Sequence, residues 1–84
     1  MSRIFEVRFE HAAQSATAGR FTIPKVVVEA LNIDASDEIL VEVVSHKGAL
    51  TKITRLRSGN EIYGDFDGHF ELGELLTVRV TKLR

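Results

Sequence analysis

Lys47, Lys52, Arg55 and Arg57 fall within residues 45–60, a stretch that contains no acidic side chain. Closely spaced cations neutralise phosphates, and phosphate contacts supply most of a protein's affinity for DNA while base-edge contacts supply its specificity. The stretch reads as a local cationic hairpin, and for each of the four the plainer alternative is a solvated surface charge. Other chemistries find less support. Asp65-Phe66-Asp67-Gly68 shares its opening with a D-x-D-x-D-G calcium loop, but the third Asp is missing and the closing Glu spacing fails, so it reads as an acidic turn. His11, His46 and His69 are too far apart for H-x-x-H or H-E-x-x-H spacing, so no metal site is expected. There is no G-x-S-x-G, P-loop or G-x-G-x-x-G, and the paired carboxylates Asp37/Glu38 and Asp65/Asp67 read as turn formers, so neither an enzyme nor a cofactor is expected. The single tyrosine, Tyr63, reads as a cross-strand packing residue and not as a base-stacking one.

The whole chain limits the setting. Its 84 residues suit one domain, 1–84, with a core near the lower limit of what folds alone. The absence of cysteine excludes a disulfide framework and a thiolate nucleophile, and fits a reducing cytoplasm. No apolar run approaches the roughly 20 residues that span a bilayer, and the start lacks a signal-peptide pattern, so the expectation is a soluble cytoplasmic protein with no membrane partner. The net charge of −1 conceals an asymmetry: residues 1–44 carry four basic against seven acidic side chains, and residues 45–84 seven against five.

Alternation and turn chemistry supply the elements that must hold these side chains. Phe5, Val7 and Phe9 alternate with Glu6, Arg8 and Glu10, which predicts a half-buried strand over 4–10. Residues 11–18 are small and polar and read as a loop. Phe21-Thr22-Ile23 is β-prone, and Pro24 suits the first position of a helix over 24–32 because its missing N–H would be an orphan there. Val27, Ala30 and Leu31 then share one face at i, i+3, i+4 spacing. Asn32 tolerates the left-handed conformation that ends a helix, and Asp34-Ala35-Ser36-Asp37 supplies a turn. The run 39–44 is apolar on nearly both faces, as in a strand covered on two sides. Strands follow over 49–57, 61–63 and 75–83, the last with Leu76, Val78 and Val80 on one side.

The run G-R-F-T-I-P-K-x-V-x-E-A-L-N-I followed by D-E-I-L-V-E-V, about 25 residues from Gly19 to Val43, resembles the AbrB/MazE-type (SpoVT-AbrB) swapped-hairpin domain. The resemblance implies a mainly β fold with one short helix, a small swapped-hairpin β-barrel built by two interlocked chains. It also implies binding of double-stranded DNA as a transcriptional regulator or antitoxin. It makes Arg20 of the G-R pair the leading DNA contact, with Arg8 on the polar face of the strand feeding the same loop and Lys25 after the proline. Val28 and Glu29 stand where such regulators often carry further arginines, which turns the expected contact from the helix to the loop and hairpin. The alternative reading is a protein-interaction module of the same fold that does not hold DNA. Residues 33–40 are echoed by 72–76, which suggests pseudo-repeat halves 1–45 and 46–84. On that reading one chain supplies both halves as a monomeric pseudo-dimer; otherwise an exchange of hairpins makes a homodimer.

Overall fold

The alternation of the opening segment is realised in β1 (Ser2–Arg8), where Phe5 and Val7 are half-buried and Glu6 and Arg8 exposed. The computed structural model describes residues 1–11, 19–63, 66 and 68–83. After β1 come β2 (Glu10–His11), β3 (Gly19–Thr22), α1 (Lys25–Leu31), β4 (Ile39–Ser45), β5 (Gly48–Thr54), β6 (Glu61–Tyr63) and β7 (Leu75–Lys82). The loop expected over 11–18, apart from His11 at the end of β2, lies outside the described residues. So do Asp65, Asp67 and the Tyr63 side chain.

The chain is mainly β with one short helix. Its strands form two open sheets, ordered β1-β7-β4-β5 and β2-β3-β6, and not the closed barrel that the resemblance implied. Among the described residues no ladder joins one sheet to the other, so the layers meet through side chains and the edges stay open, whereas a barrel needs one continuous register. Between the layers Ile39, Val41 and Val43 of β4 and Leu76, Val78 and Val80 of β7 are fully buried against Phe21, Ile23, Ile62 and Phe66. The ring of Phe66 lies 5.8 Å from that of Phe21, within the range of favourable aromatic packing.

Both sheets carry an internal symmetry. Exchanging β1 with β5, β4 with β7 and β3 with β6 leaves the four-stranded order and the β3–β6 pairing unchanged. The correspondence extends to single residues. A shift of 37 carries Val41 to Val78 and Val43 to Val80, and it turns the pair Val41↔Val80 into Val78↔Val43. A shift of 41 carries Arg20 to Glu61 and Thr22 to Tyr63, turning Arg20↔Tyr63 into Glu61↔Thr22. The pair Glu10↔Arg20 is answered by the isolated bridge Arg57↔Glu61. The ladders β1–β7, β7–β4, β4–β5 and β3–β6 each join a strand from residues 1–45 to one from residues 46–84, so the two segments interleave.

Several local expectations shift. Pro24 caps α1 from outside, with its carbonyl accepting from the N–H groups of Val27 and Val28, and Lys25 is the first helical residue. Val27 and Leu31 are buried, but Ala30 is exposed and Val28 packs against the core in its place. At about 100° per residue Val28 and Ala30 flank the centre of the Val27–Leu31 stripe equally, and the core lies on the Val28 side. Asn32 ends the helix in the left-handed region at φ 53°. Strand β5 stops at Thr54, short of the 57 expected. The two-sided cover expected for 39–44 is also absent, because Val44 is 51 % exposed on the face turned away from the second layer.

Candidate nucleic-acid interface

Strand β5 is the outermost strand of the larger sheet and carries Lys52, with Lys47 in the turn before it and Arg55 and Arg57 beyond its end. The His46-Lys47 turn connects it to β4, and the Lys47 N–H donates to the Ser45 hydroxyl at 3.1 Å. Lys52 lies opposite buried Val41 but is itself exposed, because the second layer does not reach over the edge strand. It has no acidic partner among the described residues. Beyond the end of β5, Arg55 donates from Nε to the Ser36 carbonyl at 3.2 Å and has Nη2 3.9 Å from a Glu38 carboxylate oxygen. Arg57 is exposed and is held by its backbone, whose N–H donates to the Glu61 carbonyl at 2.8 Å. Lys52, Arg55 and Arg57 therefore follow one line of backbone, with Arg55 and Arg57 on the wall of a shared shallow cleft of about 250 Å³.

The other predicted contacts are placed elsewhere. Arg20 is only 25 % exposed at its side chain, and its Nη1 donates to Glu61 Oε2 at 2.6 Å. Its Nε is buried without a hydrogen-bond partner among the described residues. The two partners are related by the internal symmetry, so the ion pair spans the pseudo-axis between β3 and β6. Lys47 pairs with Glu71 at 2.8 Å across the opposite end of the sheet from Arg55. Arg8 donates from Nη1 to the Gly73 carbonyl at 3.0 Å. This contact mirrors the one from Arg55 to Ser36, since Ser36 and Gly73 are separated by the same 37 residues as Val41 and Val78. Each arginine thus fastens the first strand of one half to the turn before the last strand of the other. Lys25 is exposed at the start of α1, away from β5.

A larger cleft of about 560 Å³ is lined by Arg8, His46 and residues 71–75. At its base Glu74 is almost fully buried, with Nδ1 of exposed His46 at 3.5 Å from Oε2. The Ser45 hydroxyl and the Glu71 N–H, aided by the nearby His46 and Lys47, hold the Glu74 carboxyl below the usual carboxylate range. The same Glu71 N–H to Glu74 bond has its counterpart in the first half, where the Asp34 N–H donates to Asp37 at 2.9 Å. The site is therefore first a turn lock. Among the described residues no three His, Asp or Glu side chains gather as a metal site would require.

Sequence reasoning missed the carboxylates that meet these cations: Glu61 for Arg20, Glu71 for Lys47 and Glu42 for Arg79, whose bidentate pair has both contacts at 2.8 Å. One signal was present, since Arg20 is the second residue of its half's short strand and Glu61 the first of the other's. Compared with protein-family models, with curated proteins and with solved structures, the chain matches none. No helix among the described residues is long and apolar enough to cross a membrane.

Proposed function

We propose that the chain binds double-stranded DNA, as a cytoplasmic transcriptional regulator or antitoxin-type protein, with the β5 edge as the phosphate-contacting surface. The observation that carries this reading is the run of exposed cations formed by Lys52 on the β5 edge and by Arg55 and Arg57 in the segment that follows it, a stretch of sequence without carboxylates of its own. An exposed edge strand that carries cations can lie along a phosphate backbone without competing core contacts, and Lys52 is the cation with least to give up. The AbrB-type pattern from Gly19 to Val43 supports the same reading. Arg20 and Lys47 drop to secondary places in it, because a phosphate would first have to displace Glu61 or Glu71.

Three phosphate contacts correspond to a slope of log K against log salt of about −2.7, which is about 0.9 per phosphate neutralised. Anisotropy titrations of a mixed duplex pool over a salt series measure this slope directly. Lys52→Ala is expected to make it shallower by about one unit and to weaken binding similarly on every sequence. An absence of binding to any duplex at low salt refutes the reading. The second reading, a protein-interaction module that leaves DNA alone, is favoured by the pairing of Arg20, Lys47, Arg79 and Lys82 with carboxylates, which leaves few free cations on a chain of net charge −1.

A further inference from the structure

The β1-β7-β4-β5 sheet has its inner face in the core and its outer face open. The registers place Ile4, Leu75, Leu40, Val44 and Ile53 on that outer face, since each alternates with a neighbour that points inward. Ile4 is 65 %, Ile53 60 %, Val44 51 % and Leu75 45 % exposed. Half of the eight exposed large apolar side chains among the described residues therefore lie on one sheet face. A solvated sheet face normally carries polar residues, and a concentrated apolar face marks a contact surface.

We infer that this face packs against the same face of a second copy of the chain, making a two-fold sandwich of four-stranded sheets. Charge selects this occupant. The ionised groups on the face are Glu6, Arg8, Glu42 and Arg79, two of each sign, so the face is neutral and offers nothing to a strongly charged partner. Arg79 and Glu42, bonded bidentately at its centre, sit next to each other across β7 and β4. A two-fold axis through this region brings each copy's arginine toward the other copy's glutamate, so the pair is self-complementary.

Area sets the strength. Four strands about 4.8 Å apart and seven residues at about 3.3 Å each make a face of roughly 19 by 23 Å, so two faces bury about 900 Å². That lies below the roughly 1,200 Å² at which stable specific interfaces begin, so the association is weak and depends on concentration. The chain is only 19 Å deep in its thinnest dimension, consistent with two layers, and sheets packing about 10 Å apart would double them. The contact involves no exchange of strands, because the four ladders between the halves are already formed within one chain. It covers the Ile53 face of β5 but leaves Lys52, which points to the other face of the sheet, uncovered, and it does not rest on DNA binding.

Sedimentation velocity of the full chain from micromolar to millimolar concentration tests the inference. The expected result is a mass rising from 9.4 kDa toward twice that value. Ile53→Lys is expected to weaken the association about tenfold or more. Val26→Lys, which alters a residue 70 % exposed on α1, is expected to leave it unchanged. Ile53 is itself mostly exposed, so its replacement removes no core contact, and an unaltered far-UV spectrum verifies that the variant folds. A chain that stays at 9.4 kDa throughout overturns the inference. So does a dimer that Ile53→Lys leaves intact, which would place the contact elsewhere, and so does a monomer that instead captures a different protein through the Ile53 face.

Discussion

Gly19 shows what a single residue has to supply. It lies in β3, outside the positive-φ glycines, and a methyl group at its position would run into the ring of buried Phe9. Its requirement is space for the layer above it and not backbone freedom. Glu74 makes a different demand, because its carboxylate is held below the ordinary range by the Ser45 hydroxyl and the Glu71 N–H. A folded-state pKa below the unfolded one adds stability that is complete above the ordinary carboxylate range and is lost as pH falls through the lowered value. Asp34 and Glu42 are lowered too, by Ser36 and by Arg79 respectively, and act in the same direction. Thermal melts are therefore expected to be flat above about pH 5 and to fall below about pH 4. Glu74→Gln is expected to melt lower at neutral pH and to converge on the wild type in acid. A gap between the two that does not narrow as pH falls would exclude this role.

At the scale of elements, α1 illustrates how far periodicity reaches. The helix was legible from Phe21-Thr22-Ile23, Pro24 and the apolar spacing, and its end from Asn32. Which residue completed the buried stripe was not, because Val28 and Ala30 flank the same centre and only the position of the sheet decides between them. Leu31→Ala removes a residue that is 5 % exposed and is expected to cost about 2–5 kcal/mol in chemical denaturation. Ala30→Ser on the exposed side is expected to stay within about 0.5 kcal/mol. Equal costs at the two positions would contradict this placement of the helix. Strand β4 carries the same lesson: its sequence is apolar on both faces, but one chain provides a layer for only one of them.

For the whole molecule, interleaving dominates. The central strands β4 and β7 come from different halves, and each outer strand pairs with the last strand of the other half. Among the described residues neither half has a sheet of its own, since pairing within a half is limited to β2 with β3 and to the bridge from Arg57 to Glu61. Fragments 1–45 and 46–84 are therefore each expected to be unfolded by circular dichroism and to fold when mixed at equal concentration. A separately folded fragment would show that its strands do not depend on the other half. The charges divide along the same line, with an excess of acid in residues 1–44 and of base in residues 45–84, so the β5 edge is cationic on a molecule of net charge −1.

The sequence by itself determined the class of fold, most strands to within a few residues, the helix and its left-handed end, and the acid-free stretch that becomes an exposed edge. These follow from alternation, turn residues and propensity, which act over a few neighbouring positions. Only the tertiary structure decided that the sheets stay open, that Arg20 is tied to Glu61 and Lys47 to Glu71, and that one face of β4 is bare. Those outcomes depend on the register between strands far apart in the chain. A cation's freedom and an apolar side chain's burial are set by what that register brings opposite them, and local pattern carries no measure of it.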